Sequence, residues 1–205
     1  VLITSGALAL ASASPAQAGS DDGTASIRGF LAQYGADEPT QDRLLAKYRT
    51  GGAWDSMSSS KQPVSTRSFT ETDGAYTVST YADGSIAVTR VETPDTSASA
   101  RARGISGCSV SGKVYTNCKI DMWVGVVSMA FRASYNLGTN QITNAYGPEY
   151  TIVGACGASP SLGRPAGNIA RLNIATQMCV LPYSTLFWLQ LTVSGGSARV
   201  SWNDY

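Results

Sequence analysis

No histidine occurs in the 205 residues. Its absence excludes Ser–His–Asp and Cys–His catalysis and every histidine-ligated metal site. Charge is sparse as well. Asp, Glu, Lys and Arg make up 14% of the chain and the net charge is +1. That balance excludes a polybasic nucleic-acid binder and gives no bulk attraction to DNA or to a membrane surface. Strong helix-forming runs are few, which excludes a coiled coil. Beyond the first residues, no apolar stretch approaches the roughly 20 residues that cross a bilayer.

What is present starts with Val1–Ala11, VLITSGALALA, almost wholly apolar or small. Pro15 and then Ala16-Gln17-Ala18 follow, the small-x-small form of a leader-peptidase site. Residues 1–18 therefore read as a secretory leader, with the mature chain expected from Gly19. The four cysteines, Cys108, Cys118, Cys156 and Cys179, agree with export. They lack the clustered C-x-x-C spacing of a zinc site. Short loops cost least entropy to close, so Cys108–Cys118 and Cys156–Cys179 are the expected bridges.

Composition divides the remainder. Residues 19–100 hold seven Lys/Arg against 11 Asp/Glu, a balance of −4, and residues 101–205 hold eight against three, a balance of +5. The expected organisation is a small α+β domain over 19–92, a linker over 93–107 and a disulfide-bonded antiparallel β domain over 108–205. Arg101-Ala102-Arg103-Gly104 offers a basic cleavage site in that linker, from which a folded β half would be released.

In the first half, Ile27, Phe30, Leu31 and Tyr34 recur at helical spacing, with Ser26 as a cap and Gly35 as a stop. A second helix is expected from an Asp37 cap, with Pro39 in its first turn and Leu44, Leu45 and Tyr48 as its stripe, ending at Gly51-Gly52. Trp54 closes the helix pair. Residues 63–92 switch to a two-residue period, and Asp73-Gly74 and Asp83-Gly84 predict the turns of a three-strand meander. The second half is β throughout: about seven strands, including Cys118–Gly125, Val126–Tyr135, Gln141–Val153, Asn168–Val180 and Ser184–Ser194, in a sandwich or barrel. Gly157–Gly167, GASPSLGRPAG, reads as an inter-strand loop.

The runs Lys47–Ser56, KYRTGGAWDS, and Tyr81–Glu92, YADGSIAVTRVE, together with Cys118–Tyr135, resemble an N-terminal region and its following domain in exported actinobacterial proteins. The resemblance implies secretion and lends no catalytic residue.

Three motifs have the outline of known chemistry, and each stands on its spacing and partners. Gly107–Val114 nearly spells a P-loop, but Val114 stands where the magnesium-binding Ser or Thr is needed. Ser58-x-x-Lys61 has the spacing of penicillin-binding enzymes without their S-D-N and K-T-G partners. Asp121 and Glu149 are the carboxylates available for glycan hydrolysis, placed on or near neighbouring predicted strands, with Asp204 at the chain end. Trp123 and Trp188 lie in apolar runs and are expected in the core. Tyr146 and Tyr150, with Asn140, Gln141 and Asn144 as polar neighbours, are the candidates for stacking on a sugar. No cofactor or metal is expected. These features favour a secreted, non-catalytic binding module for a wall polymer, glycan or protein. A hydrolase using Asp121 and Glu149 and a protease inhibitor presenting Gly157–Gly167 are the alternatives.

Overall fold

The computed structural model describes residues 23–94, 107–179 and 184–204. The expected leader, the start at Gly19 and most of the expected linker, with Arg101 and Arg103, lie outside the described residues.

Helix α1 (Thr24–Gln33) buries Ile27 and Leu31. It begins ahead of the expected Ser26 cap, on Gly23, with no side-chain cap. It stops where expected. Gly35 takes φ 98°, its amide donates to Ala32, and the next amide donates to Leu31. That double closure satisfies the carbonyls a helix end would leave bare. Helix α2 (Glu38–Arg49) is capped by Asp37, whose carboxylate accepts from the Thr40 amide at 3.1 Å. It ends in the same glycine closure at Gly51 and Gly52. Trp54 is fully buried beneath the pair and donates its indole N–H to the Leu44 carbonyl at 2.7 Å.

The meander follows as β1 (Ser65–Glu71), β2 (Gly74–Thr80) and β3 (Ile86–Glu92). One turn differs from expectation. Glu71 pairs with Gly74, so Thr72-Asp73 makes the turn and Gly74 opens β2. A Cβ on Gly74 would stand 2.5 Å from the Arg90 side chain, so glycine here makes room for that arginine. At the second turn Gly84 does supply a positive φ, 83°.

The chain continues through β4 (Ser109–Ser111), β5 (Val114–Trp123), β6 (Val127–Asn136), β7 (Gln141–Ile152), β8 (Ala155–Ala166), β9 (Ile169–Met178), β10 (Ser184–Ser194) and β11 (Ser197–Asp204). Among the described residues, all pair antiparallel in two open sheets. The larger runs β1-β2-β3-β5-β6-β7, with β4 beside β5; the smaller runs β11-β10-β9-β8. Neither sheet closes, so the architecture is a sandwich and not a barrel. Val88–Val91 of β3 pair with Ile120–Trp123 of β5. The expected division at 93–107 therefore falls between two neighbouring strands of one sheet.

The loop expected at Gly157–Gly167 is corrected: all of these residues but Gly167, which turns toward β9, belong to β8, which pairs with β9 from Ala155 to Ala166. β8 is the edge of its sheet, where proline is tolerated because one side of the strand makes no ladder bonds. Pro160 sits opposite Ile174 on that edge.

The core lies between the sheets. Ile120 and Met122 of β5 and Met129, Phe131 and Tyr135 of β6 meet Leu172 and Ile174 of β9 and Phe187, Leu189 and Leu191 of β10, all buried. The apolar residues alternate along each strand, as one covered face requires. Both expected disulfides are present, Cys108–Cys118 and Cys156–Cys179, with Cα atoms 4.1 and 5.5 Å apart. They point to an oxidising compartment. Among the described residues no helix is long and apolar enough to cross a membrane.

The larger sheet is also the wider. β11 lies against β3, and β1 and β2 extend past it. Their side chains toward the smaller sheet are Thr66, Ser68 and Thr70 on β1 and Ala75, Thr77 and Ser79 on β2. These are hydroxyls and alanine, because no second sheet covers them.

Candidate functional site

Cross-strand partners share a face, so the register lays out the side of the larger sheet turned away from the smaller one. One row reads Arg67, Val78, Val88, Trp123, Ser128 and Thr151. The next reads Phe69, Tyr76, Arg90, Asp121, Ala130 and Glu149, and the third Glu71, Gly74, Glu92, Lys119, Arg132 and Tyr146. Helix α1 covers part of the first row, where Phe30 and Tyr34 pack on buried Val78, Ile86 and Val88. The second and third rows remain open beside it.

A charge network crosses these rows. Arg90 donates to Asp121 Oδ2 from Nη2 at 2.7 Å and from Nε at 3.0 Å. Its Nη1 reaches Asp73 at 2.6 Å. Lys119 Nζ lies 3.5 Å from Asp121 Oδ1 and donates to Glu149 at 2.8 Å. The candidate carboxylates Asp121 and Glu149 are thus brought to one face, with a lysine held between them. Asp121 is 2% exposed and has a cation on each oxygen. Burial pushes its carboxyl above the usual carboxylate value, and Arg90 and Lys119 offset that only in part. Glu92 accepts the Lys119 amide at 2.7 Å and ties the Cys108 end of the chain to the sheet. Such an arrangement ties Asp121 into the charge network of the sheet.

The candidate sugar-stacking residues separate. Tyr146 and Asn144 stand exposed on the edge strand β7, on this face, and the Tyr146 hydroxyl donates to the Asn117 side-chain carbonyl. A bulge between Ala130 and Arg132 shifts the register, so Tyr150 pairs with Met129 on the opposite face. Asn140 accepts from the Gly196 amide at 2.9 Å and serves the β10–β11 turn. Trp123 and Trp188 are corrected too. They are half-buried on outer faces, each under a guanidinium, Arg90 at 5.4 Å and Arg171 at 5.2 Å from the ring centres.

What the sequence reading did not single out is a pocket where the end of α1 meets β1 and β2. It has a volume of about 320 Å³ and is lined by Gln33, Tyr34, Arg67, Phe69, Glu71 and Tyr76. Phe69 and Tyr76 stack 5.2 Å apart with planes 4° from parallel. Arg67 lies over Phe69, 5.4 Å from its centre, and Arg90 over Tyr76 at 5.9 Å. The Tyr76 hydroxyl donates to Asp73 at 2.7 Å, which fixes the ring. Burial pushes Asp73 up, and the bonds from Tyr76 and Arg90 more than reverse this, so its carboxyl titrates below the usual range. Burial raises the Tyr34 hydroxyl, with Glu71 adding to the effect. Among the described residues, the Gln33, Arg67 and Glu71 side chains make no hydrogen bond or ion pair and stand exposed around the rings.

An aspartate clasp lies at the β2–β3 loop, outside the lining of the pocket. Asp83 Oδ2 accepts from Lys47 at 3.0 Å and from the Asp55 amide at 2.9 Å, and Oδ1 accepts the Ser85 amide at 3.0 Å. Burial pushes this carboxyl up and the donated bonds more than reverse it, so it too lies below the usual range. The clasp joins the segments Lys47–Ser56 and Tyr81–Glu92 and so ties α2 to the β2–β3 loop.

The near-P-loop forms the β4–β5 hairpin, with Gly112 at φ 59° in its turn. Ser58-x-x-Lys61 is a surface loop in which Ser58 bonds Ser60. Among the described residues no group of three Asp, Glu or Cys is placed to hold a metal ion. Comparison with protein-family models, with curated proteins and with solved structures finds no match.

Proposed function

We propose that this protein is a secreted, non-catalytic binding module for a glycan or wall polymer, and that a sugar ring seats in the pocket between α1 and the β1–β2 hairpin. The observation that carries the reading is the pairing of rings with free polar groups. Tyr34, Phe69 and Tyr76 offer apolar surface for the C–H face of a sugar, and exposed Gln33, Arg67 and Glu71 stand ready to bond its hydroxyls. The volume of about 320 Å³ falls at the small end of the range for small-molecule sites, about 300–1,000 Å³. Binding is favoured over hydrolysis because Asp121 is buried with both oxygens held by cations. A general acid has to reach the bond it protonates. The inhibitor reading loses its exposed loop, since residues 157–166 lie in an edge strand. The disulfides support an extracellular setting.

The test is retention of the disulfide-bonded protein on cellulose, chitin and cell-wall polysaccharide columns. The wild type should be retarded on one of them, and a Phe69→Ala/Tyr76→Ala variant should elute unretarded with its fold intact by circular dichroism. Unchanged retention of that variant would remove the pocket from the reading. Release of soluble sugar that stops in Asp121→Asn would replace binding with hydrolysis.

A further inference from the structure

The opposite side of the same hairpin carries a second cleft, which shares Phe69 and Tyr76 of its lining with the ring-lined pocket. It lies where β1 and β2 extend past β11, has a volume of about 480 Å³, and is lined by Ser68, Thr70, Thr77 and Thr89 on one wall and Ala198, Arg199 and Val200 on the other. We propose that this cleft binds an acidic sugar, a hydroxyl-rich ring bearing one carboxylate.

Three observations carry this. The first is the floor. Every polar side chain contributed by β1 to β3 is a hydroxyl, and each hydroxyl both donates and accepts. Ser68 and Thr77 bond each other at 3.1 Å and so hold their oxygens in a fixed pair, with capacity left for a ligand. The second is the wall. β11 is the edge of its sheet, and Ala198 and Val200 alternate with the residues that bond β10 around the two-residue turn Gly195-Gly196. In such a hairpin these alternate positions turn their amides and carbonyls outward, which adds main-chain donors and acceptors at the cleft. The third is charge. Arg199 is the one formally charged residue in the lining, no acid accompanies it, and among the described residues it makes no ion pair. Arg199, opposite Thr192 on the outer face of the edge strand β11, stands at the rim of the cleft, and an unpaired guanidinium at the rim of an array of hydroxyls complements a carboxylate on a polyol. The cleft volume lies inside the usual range for small-molecule sites. A donated peptide strand suits the cleft less well, because it would lay alternate side chains onto hydroxyls already paired across β1 and β2.

The experiment is a titration of the isotope-labelled, disulfide-bonded protein with trigalacturonate, followed by amide chemical shifts. Cellotriose, matched in length and uncharged, and sodium acetate, a carboxylate without the ring, are the comparison probes. Saturable shifts at Thr70, Thr77, Thr89 and Arg199 with trigalacturonate are expected. Arg199→Gln should weaken binding about tenfold, the loss of one charge-assisted contact, and Thr77→Val should weaken it further. Both positions lie at the surface of an intact sandwich, and an unchanged melting temperature confirms the fold. Equal affinity for cellotriose, equal affinity for acetate, or full affinity in Arg199→Gln would overturn the proposal. So would binding that survives Arg199→Gln but disappears in Arg67→Ala/Glu71→Ala, at residues that line only the ring-lined pocket, which would place the sugar there alone. Loss of column retention in that double variant, with trigalacturonate shifts preserved, separates the two sites. Protection of the Ala198 and Val200 amides by an extended Thr/Ser peptide, with no shift from trigalacturonate, would mean strand addition instead.

Discussion

Strands β1–β2 and strands β5–β6 belong to one sheet, yet their side chains toward the smaller sheet have nothing in common. Behind β5 and β6 lies a second sheet, and there stand Ile120, Met122, Met129 and Phe131, all buried. Behind β1 and β2 lies open cleft, and the equivalent positions are Ser68, Thr70 and Thr77. The backbone pairing is of the same kind in both places. The difference is what covers each face, and residue type follows coverage. The covered strands have their side chains committed to packing. The overhanging strands have one face uncovered, with hydroxyls, and the other covered only in part by α1, with rings beside it, and can therefore spend what is left open on a ligand.

The strongest way to break this comparison is to truncate one phenylalanine in each region. Phe131 is 0% exposed in the core between the sheets. Phe131→Ala should cost about 3–5 kcal/mol by loss of transfer energy and creation of a cavity, enough to unfold a marginal domain. Phe69 is half-buried on the overhang, and Phe69→Ala should cost about 1 kcal/mol, the partial loss of one stacked pair and its area. Urea denaturation of both variants measures the ratio. Similar losses would mean that the overhang is part of the core.

How much of this was legible before the coordinates depends on whether the signal was local. The Asp37 cap with Pro39, and the glycine stops at Gly35 and Gly51, were readable because each acts on its own helix end. The disulfide pairing was readable from loop length alone. β8 was not. Its Gly, Ser and Pro content argues for a loop, and only the ladder from β9 makes it a strand. Trp123 was placed in the core because its neighbours are apolar, yet period-2 alternation cannot say which face a second sheet will cover. The ring-lined pocket was missed for the same reason. Phe69 and Tyr76 become neighbours only through the β1–β2 register, and Tyr34 joins them only when α1 lies across the sheet.

A smaller effect compares one aspartate from each region. Asp83, in the loop after β2, accepts main-chain amides and Lys47, and its carboxyl lies below the usual value. Asp121, on β5, is buried between cations, and its carboxyl lies above it. The signs are opposite. A lowered folded value means the unfolded chain binds the proton first. The stabilisation from Asp83 is present above the ordinary 3.8 and is lost as pH falls toward its folded value. A raised folded value means the folded chain binds the proton first, so the Asp121 contribution is lost as pH rises from 3.8 through its folded value. Asp83→Asn should therefore make the acid limb of the stability curve shallower, and Asp121→Asn should make it steeper. Melting temperatures from pH 2 to pH 6 read the slopes. Two variants changing the slope in the same direction would contradict the assignment.

The smallest expected effect comes from cutting the chain between the two regions. Trypsin has Arg101 and Arg103 between β3 and β4, where the compositional boundary lies. A boundary between independent domains would let the −4 and +5 halves part once cut, most readily when salt screens their attraction. The pairing argues for the opposite outcome. Val88–Val91 are hydrogen-bonded to Ile120–Trp123 in the middle of a sheet, and Glu92 accepts the Lys119 amide. The helices share the main core: Leu31, Leu44 and Trp54 are buried in one cluster with Val124, Val126 and Met129, and the Tyr48 hydroxyl donates to the Val153 carbonyl. None of these contacts is an exposed charge pair, so salt leaves them in place. The nicked protein should elute from gel filtration at the position of the intact chain, at low and at high ionic strength, with nearly unchanged circular dichroism. Mass spectrometry should find both fragments in that one peak, and only denaturant should separate them. A folded β half eluting alone would mean that β3 is dispensable to the larger sheet, and that the overhang is an appended domain and not the uncovered part of a single one.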